Sequence, residues 1–114
     1  MKYFDRDNLP LDLKEWQKRF RDRRETLVLE DAIGADARGL GGEVVITSWV
    51  GSLTEPRGGT DLFLVQRGYQ KLDGTHGTKQ FVETACTWHH TEKAARAEHR
   101  RLVRAIRNAQ AKAA

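Results

Sequence analysis

A single cysteine, Cys86, in 114 residues rules out an internal disulfide. That agrees with a reducing compartment. Long apolar runs are also missing. The longest are Val44-Val45-Ile46 and Leu62-Phe63-Leu64-Val65, far short of the roughly 20 residues needed to cross a bilayer. The opening MKYFDRDNLP is polar and has no signal-peptide core. The expectation is a soluble, cytoplasmic protein with no membrane partner. Internal repeats and low-complexity linkers are absent. The glycine-rich stretch AIGADARGLGG at 32–42 lacks the G-x-x-x-x-G-K-[ST] pattern of a phosphate cradle and reads as a loop. No catalytic constellation is recognisable, so we expect neither an enzyme nor a cofactor.

What is present suits one small domain, residues 1–114. Apolar residues make up 39% and charged residues 32%, a balance suited to a chain with much surface for its volume. The net charge of +4 is unevenly spread. Residues 1–24 carry 8 basic and 5 acidic side chains, and residues 91–114 carry 7 and 2. Between them, residues 25–50 carry 1 and 5, while residues 51–90 carry 4 of each. Two readings stand about level: the basic ends steer an acidic partner, or the acidic segment lies against the basic helices and neutralises them.

Periodicity gives the elements. Residues 12–23 read as a helix. Asp12 is its cap, Glu15 stands at the capping-box position, and Leu11 and Trp16 have staple spacing. Residues 25–30 read as a short strand or as the end of that helix, with the strand preferred. Residues 1–10 read as an irregular lead-in. Strands follow at 43–50, 61–71 and 79–88, with SLTEPRGGT at 52–60 a loop between the first two. Gly68 marks a bulge, and the turn LDGTHGT lies at 72–78. In the last strand the face Val82, Thr84, Cys86, Trp88 is expected to meet the core. Trp49, Tyr69 and Trp88 are read as core residues. Thr91 caps a helix over 92–110. Its apolar face is Ala95, His99, Leu102, Ile106 and Ala109, with Val103 at the edge. The fold class expected is α+β: an antiparallel sheet of three to four strands against a C-terminal amphipathic helix, with an extra N-terminal helix.

The candidate chemistry is sparse. Of His76, His89, His90 and His99, the adjacent pair His89 and His90 point to opposite faces of a strand. Cys86-x-x-His89 is half of a zinc pattern with no second half, so no metal is expected. His99, on the apolar helix face, reads as a hydrogen-bonded core residue. A Cys86–His99 nucleophile pair has nothing to select it, and the thiol reads as a small buried apolar group. The best signal is a stripe on the last helix: Lys93, Arg96, Arg100, Arg104 and Arg107 gather on one side. Such a stripe is either a solvated face or a surface for an acidic protein or nucleic acid. It lacks the interleaved aromatics of a single-strand platform.

Two resemblances follow. EVVITSWVG, the FVETA run and TEKAARAEHRRLV, across roughly 43–106, resemble small uncharacterised proteins of tailed bacteriophages. Thr91, Ala95, His99 and Val103 match a T-x-x-x-A-x-x-x-H-x-x-x-V phrase found in them. The resemblance implies a phage or prophage origin, so that the expected cytoplasm is that of the bacterial host. The β-β-β-α order is similar to the arm-type DNA-binding domains of phage integrases, though only Arg67, Lys71 and Lys79 put positive charge on the strands. The leading expectation is a non-enzymatic accessory protein that binds an acidic protein surface, such as an inhibitor of a host enzyme or defence system. A DNA-binding module comes second, and a virion or assembly component third.

Overall fold

A computed structural model describes residues 2–38, 40–53, 61–74 and 77–113. In chain order the elements are β1 (Lys2–Phe4), β2 (Pro10–Leu11), α1 (Leu13–Phe20), α2 (Arg23–Thr26), β3 (Leu27–Ile33), β4 (Gly41–Trp49), β5 (Ser52–Leu53), β6 (Phe63–Leu72), β7 (Lys79–His89) and α3 (Glu92–Ala113). The main sheet is antiparallel with order β3-β4-β6-β7, and a smaller sheet has order β2-β1-β5. The expected α+β class is the observed one.

The β-branched run of β4 explains its central place in the sheet, since such side chains fit a pleated surface. Its register with β3 sets Leu29 beside Thr47 and Asp31 beside Val45. Its register with β6 sets Phe63 beside Trp49 and Val65 beside Thr47. Alternation therefore collects Val45, Thr47, Trp49, Phe63 and Val65 on one face, and all five are buried. Helix α3 covers this face with Ala95, His99, Val103 and Ile106. Burying a side chain such as Ile106 completely contributes about 1.5–3 kcal/mol. At the far end of the helix the Gln110 amide donates to the Ile33 carbonyl at 3.0 Å, tying α3 to the end of β3.

The N-terminal segment docks on the Trp49 end of the sheet. Trp49 Nε1 donates to the Phe4 carbonyl at 3.1 Å, and Trp16 Nε1 donates to the Val50 carbonyl at 2.9 Å. The Trp16 ring lies between Tyr3 and Phe20 with centroids 4.8 Å away on each side, stacked on Phe20 and tilted against Tyr3. Asn8 sits in the left-handed region, φ 64°, and its amide donates to the His90 carbonyl at 2.9 Å. The turn between β1 and β2 is thereby fixed against the approach to α3.

Several expectations need correction. The helix expected at 12–23 stops at Phe20, because Asp22 starts a second helical turn by accepting from the Arg24 N–H at 3.0 Å. Residues 25–30 divide between that turn and β3, which begins at Leu27 and runs on to Ile33. The loop expected at 32–42 is shortened at both ends. Residues 1–10 were expected to be irregular, yet they supply β1 and the start of β2, and the expected loop from Ser52 opens with β5. These strands are too short for any period to show. The rest of that loop, 54–60, lies outside the described residues, as do positions 75 and 76 of the expected turn and with them His76.

The strand faces also differ from expectation. Thr84 and Cys86 are exposed and Trp88 is only half-buried. Strand β7 is a sheet edge, and the face carrying Cys86 is turned away from α3. Tyr69 is exposed at 39%, near the uncovered end of β6. On α3, Val103 is buried where Leu102 was expected to be central, and Ala109 is exposed. A bulge does occur beside Gly68, but it lies on the partner strand. The β6–β7 register shifts between Arg67 and Gly68, leaving Thr84 as the extra residue on β7. The Thr84 hydroxyl donates to the Arg67 carbonyl at 3.1 Å.

Candidate functional site

Thr91 caps α3 by accepting from the Ala94 N–H at 3.2 Å. The helix then runs for 22 residues rich in alanine and arginine, which are strong helix formers. The buried seam at 95, 99, 103 and 106 fixes its rotation. That rotation decides where each member of the predicted stripe Lys93, Arg96, Arg100, Arg104 and Arg107 lies.

The stripe divides. Arg96 is half-buried and paired with Glu92 at 2.8 Å, and Arg6 reaches the same carboxylate at 2.7 Å. The Arg6 guanidinium first, and Arg96 after it, hold Glu92 below the usual carboxylate range against the opposing effect of its partial burial. Arg96 is therefore a brace between the N-terminal segment and the helix. Lys93, Arg100, Arg104 and Arg107 are exposed. Among the described residues none of these four has an acidic partner within ion-pair distance. On the opposite flank Arg101 is neutralised by Glu98 at 2.9 Å. Acidic neighbours therefore hold some cations of the helix and leave others free.

Three of the free cations converge. Arg100, Arg104 and Arg107 form one wall of a cleft of about 440 Å³ between β3 and α3. Leu29 and Val103 give it apolar surface, and Asp31 and His99 also line it. The acidic segment thus meets the basic helix without neutralising this wall. Asp31 pairs with His99 and with none of the three arginines.

His99 is a bridge. Its ring is 1% exposed, with Nε2 2.7 Å from Asp31 Oδ2 and Nδ1 2.8 Å from the buried Thr47 hydroxyl. An ionised carboxylate only accepts, so Nε2 carries the proton. In the neutral ring Nδ1 then accepts from the Thr47 O–H. Among the described residues no buried side-chain polar atom is left without a partner, both ring nitrogens of His99 included, as its expected core role requires. The geometry superficially matches a hydroxyl–imidazole–carboxylate triad. However, Thr47 is fully buried, so its hydroxyl cannot meet a substrate, and it donates to the ring.

The remaining candidates separate. Cys86 pairs in register with Gln66, which pairs with Ile46. Cys86 therefore lies on the sheet face opposite Thr47 and His99, so the two do not meet. It is exposed, contrary to the buried thiol expected. Even so, local desolvation of its Sγ, followed by the nearby Glu83 carboxylate, pushes its thiol up. His89 lies on the helix side, with Nε2 2.8 Å from the Thr87 hydroxyl, which separates it from Cys86. Among the described residues no group of three or more His, Cys, Asp or Glu is placed to hold a metal. No helix among them is long and apolar enough to cross a membrane.

Sequence reasoning missed Asp31 and Leu29 as neighbours of the stripe. The signal available was the alternation of LVLEDAI, which puts Leu29, Asp31 and Ile33 on one face. A charge on an otherwise apolar face asks for a buried partner. No protein-family model matches the chain, and neither do curated proteins or solved structures. The four residues of the phage-like phrase are Thr91, the cap of α3, and Ala95, His99 and Val103 of its buried seam. The phrase therefore marks a folding element.

Proposed function

We propose that this is a non-enzymatic, phage-type accessory protein that acts by binding an acidic surface of another protein through the exposed arginine wall of α3. The observation that carries the reading is the absence of any acidic partner, among the described residues, for Arg100, Arg104 and Arg107. Three cations on consecutive turns of one helix repel each other by a few tenths of a kcal/mol per pair, a cost that a carboxylate-bearing partner removes. Arginine is suited to the role because its planar fork takes a carboxylate bidentately. The sheet gives less support to a DNA reading. Arg67, its most central cation, is bound to Glu43 at 2.6 Å.

The test is affinity capture from a bacterial lysate with a charge-matched control. Arg100→Glu/Arg104→Glu reverses the wall, and Lys14→Glu/Lys18→Glu makes the same charge change on α1. A protein bound by the wild type and the control but lost from the wall variant supports the reading. Equal loss from both variants, or loss from neither, refutes it. Tight duplex-DNA binding that falls steeply with salt and disappears in the wall variant would transfer the surface to nucleic acid.

A further inference from the structure

The cleft between β3 and α3 has more chemistry than a flat basic face. Its charged lining is Arg100, Arg104 and Arg107 against Asp31. Three positive charges and one negative leave a net +2 on these four side chains. A carboxylate would neutralise half of that. A phosphomonoester carries about −1.5 to −2 at neutral pH and matches it. The volume, about 440 Å³, lies in the range of small-molecule sites and leaves room for a carbon body beside the phosphate. Leu29 and Val103 offer that body apolar surface.

Asp31 defines the third requirement. Its side chain is 41% exposed, and one oxygen is held at 2.7 Å by the buried His99 ring. Among the described residues no hydrogen bond engages its Oδ1. A carboxylate fixed by a buried imidazole and left unpaired with the arginines beside it is a pre-positioned acceptor. A ligand must offer it an O–H or N–H donor. His99 acts here as a positioning residue.

We infer that the β3–α3 cleft binds a phosphomonoester carried on a hydroxyl-bearing body of nucleoside-monophosphate size. The phosphate rests on the arginine wall, the body on Leu29 and Val103, and a hydroxyl donates to Asp31. The site shares its arginines with the proposed docking surface but needs no protein partner, so the two proposals fail separately.

The experiment is a titration of isotope-labelled protein, followed by amide NMR shifts, with adenosine 5′-monophosphate, its 2′,3′-dideoxy analogue, adenosine and inorganic phosphate. The monophosphate should shift amides of residues 29–31 and 100–107 together. It should bind at least about tenfold tighter than phosphate or adenosine alone, the loss expected when one charge-assisted contact set is removed. The dideoxy analogue should lose about tenfold as well. Arg104→Glu, an exposed change that leaves the rest of the spectrum native, should abolish the shifts. Monophosphate binding no tighter than inorganic phosphate, equal affinity for the dideoxy analogue, shifts centred on α1, or no binding at all would each overturn the proposal. None of these results bears on protein capture.

Discussion

Thr47→Val is the sharpest probe of the core beneath the cleft. Valine keeps the shape and β-branching that suit the central strand and removes the hydroxyl. The His99 ring cannot compensate. Asp31 holds Nε2 as a donor at 2.7 Å, so the ring cannot reverse its roles, and Nδ1 is left as a buried acceptor with no partner. An orphaned buried polar atom costs about 1–3 kcal/mol. For a domain of this length each kcal/mol moves the melting temperature by roughly 4 °C, so the expected drop is roughly 4–12 °C. Thr47→Ser is the control. It keeps the hydroxyl and loses one methyl group, costing about 1 kcal/mol. Urea unfolding followed by tryptophan fluorescence reads both variants, with Trp49 a buried reporter. The slope with denaturant should stay constant, so that the midpoint shift reports stability. If the valine variant is as stable as the wild type, or more stable than the serine variant, the reasoning about the His99 network is wrong.

Three other outcomes follow from separate features. Glu92 is held below the ordinary glutamate value of 4.5 by Arg6 and then Arg96. Its contribution is therefore present above the unfolded-state value and is lost as pH falls through the lower folded-state value. An acid titration of stability should show that limb, and Glu92→Gln should flatten it. Cys86 is exposed, so a thiol reagent should label it completely without denaturant. Its raised thiol range means that the rate keeps climbing above pH 9.0, and labelling that requires unfolding would contradict the exposed edge strand. Gly51 has φ 74°, and a Cβ there would collide with the Trp49 ring and sit 2.8 Å from the Phe4 carbonyl. Gly51→Ala should cost at least about 3 kcal/mol by strain and displaced packing, read as a lowered melting temperature. A loss under about 1 kcal/mol would mean that the N-terminal sheet is not tightly docked.

Helix α3 was legible in the sequence because alternating buried and exposed positions over six turns leave little freedom, and Thr91 announces its start. Strand β4 was legible because EVVITSWV carries dense β-branching. The exposure of Thr84 and Cys86 was not legible, because sheet order decides which strand is an edge and strand order is a long-range property. β1 and β5 are too short to carry a period, and their existence depends on pairing between residues about 50 apart in sequence. For the site, helical spacing found the arginines. It could not show that Glu92 and Arg6 withdraw Arg96, or that Asp31 would bind the buried histidine in preference to an arginine.

The central claim is that Arg100, Arg104 and Arg107 have no structural task and are held for a partner. Thermal unfolding of Arg100→Ala/Arg104→Ala/Arg107→Ala tests it most directly. Alanine is the best helix former, and the three arginines make no ion pair among the described residues. The account predicts stability within about 1.5 kcal/mol of the wild type, the sum expected of three idle surface changes. A loss above about 2 kcal/mol would show that the arginines hold the fold together, and the claim would fail.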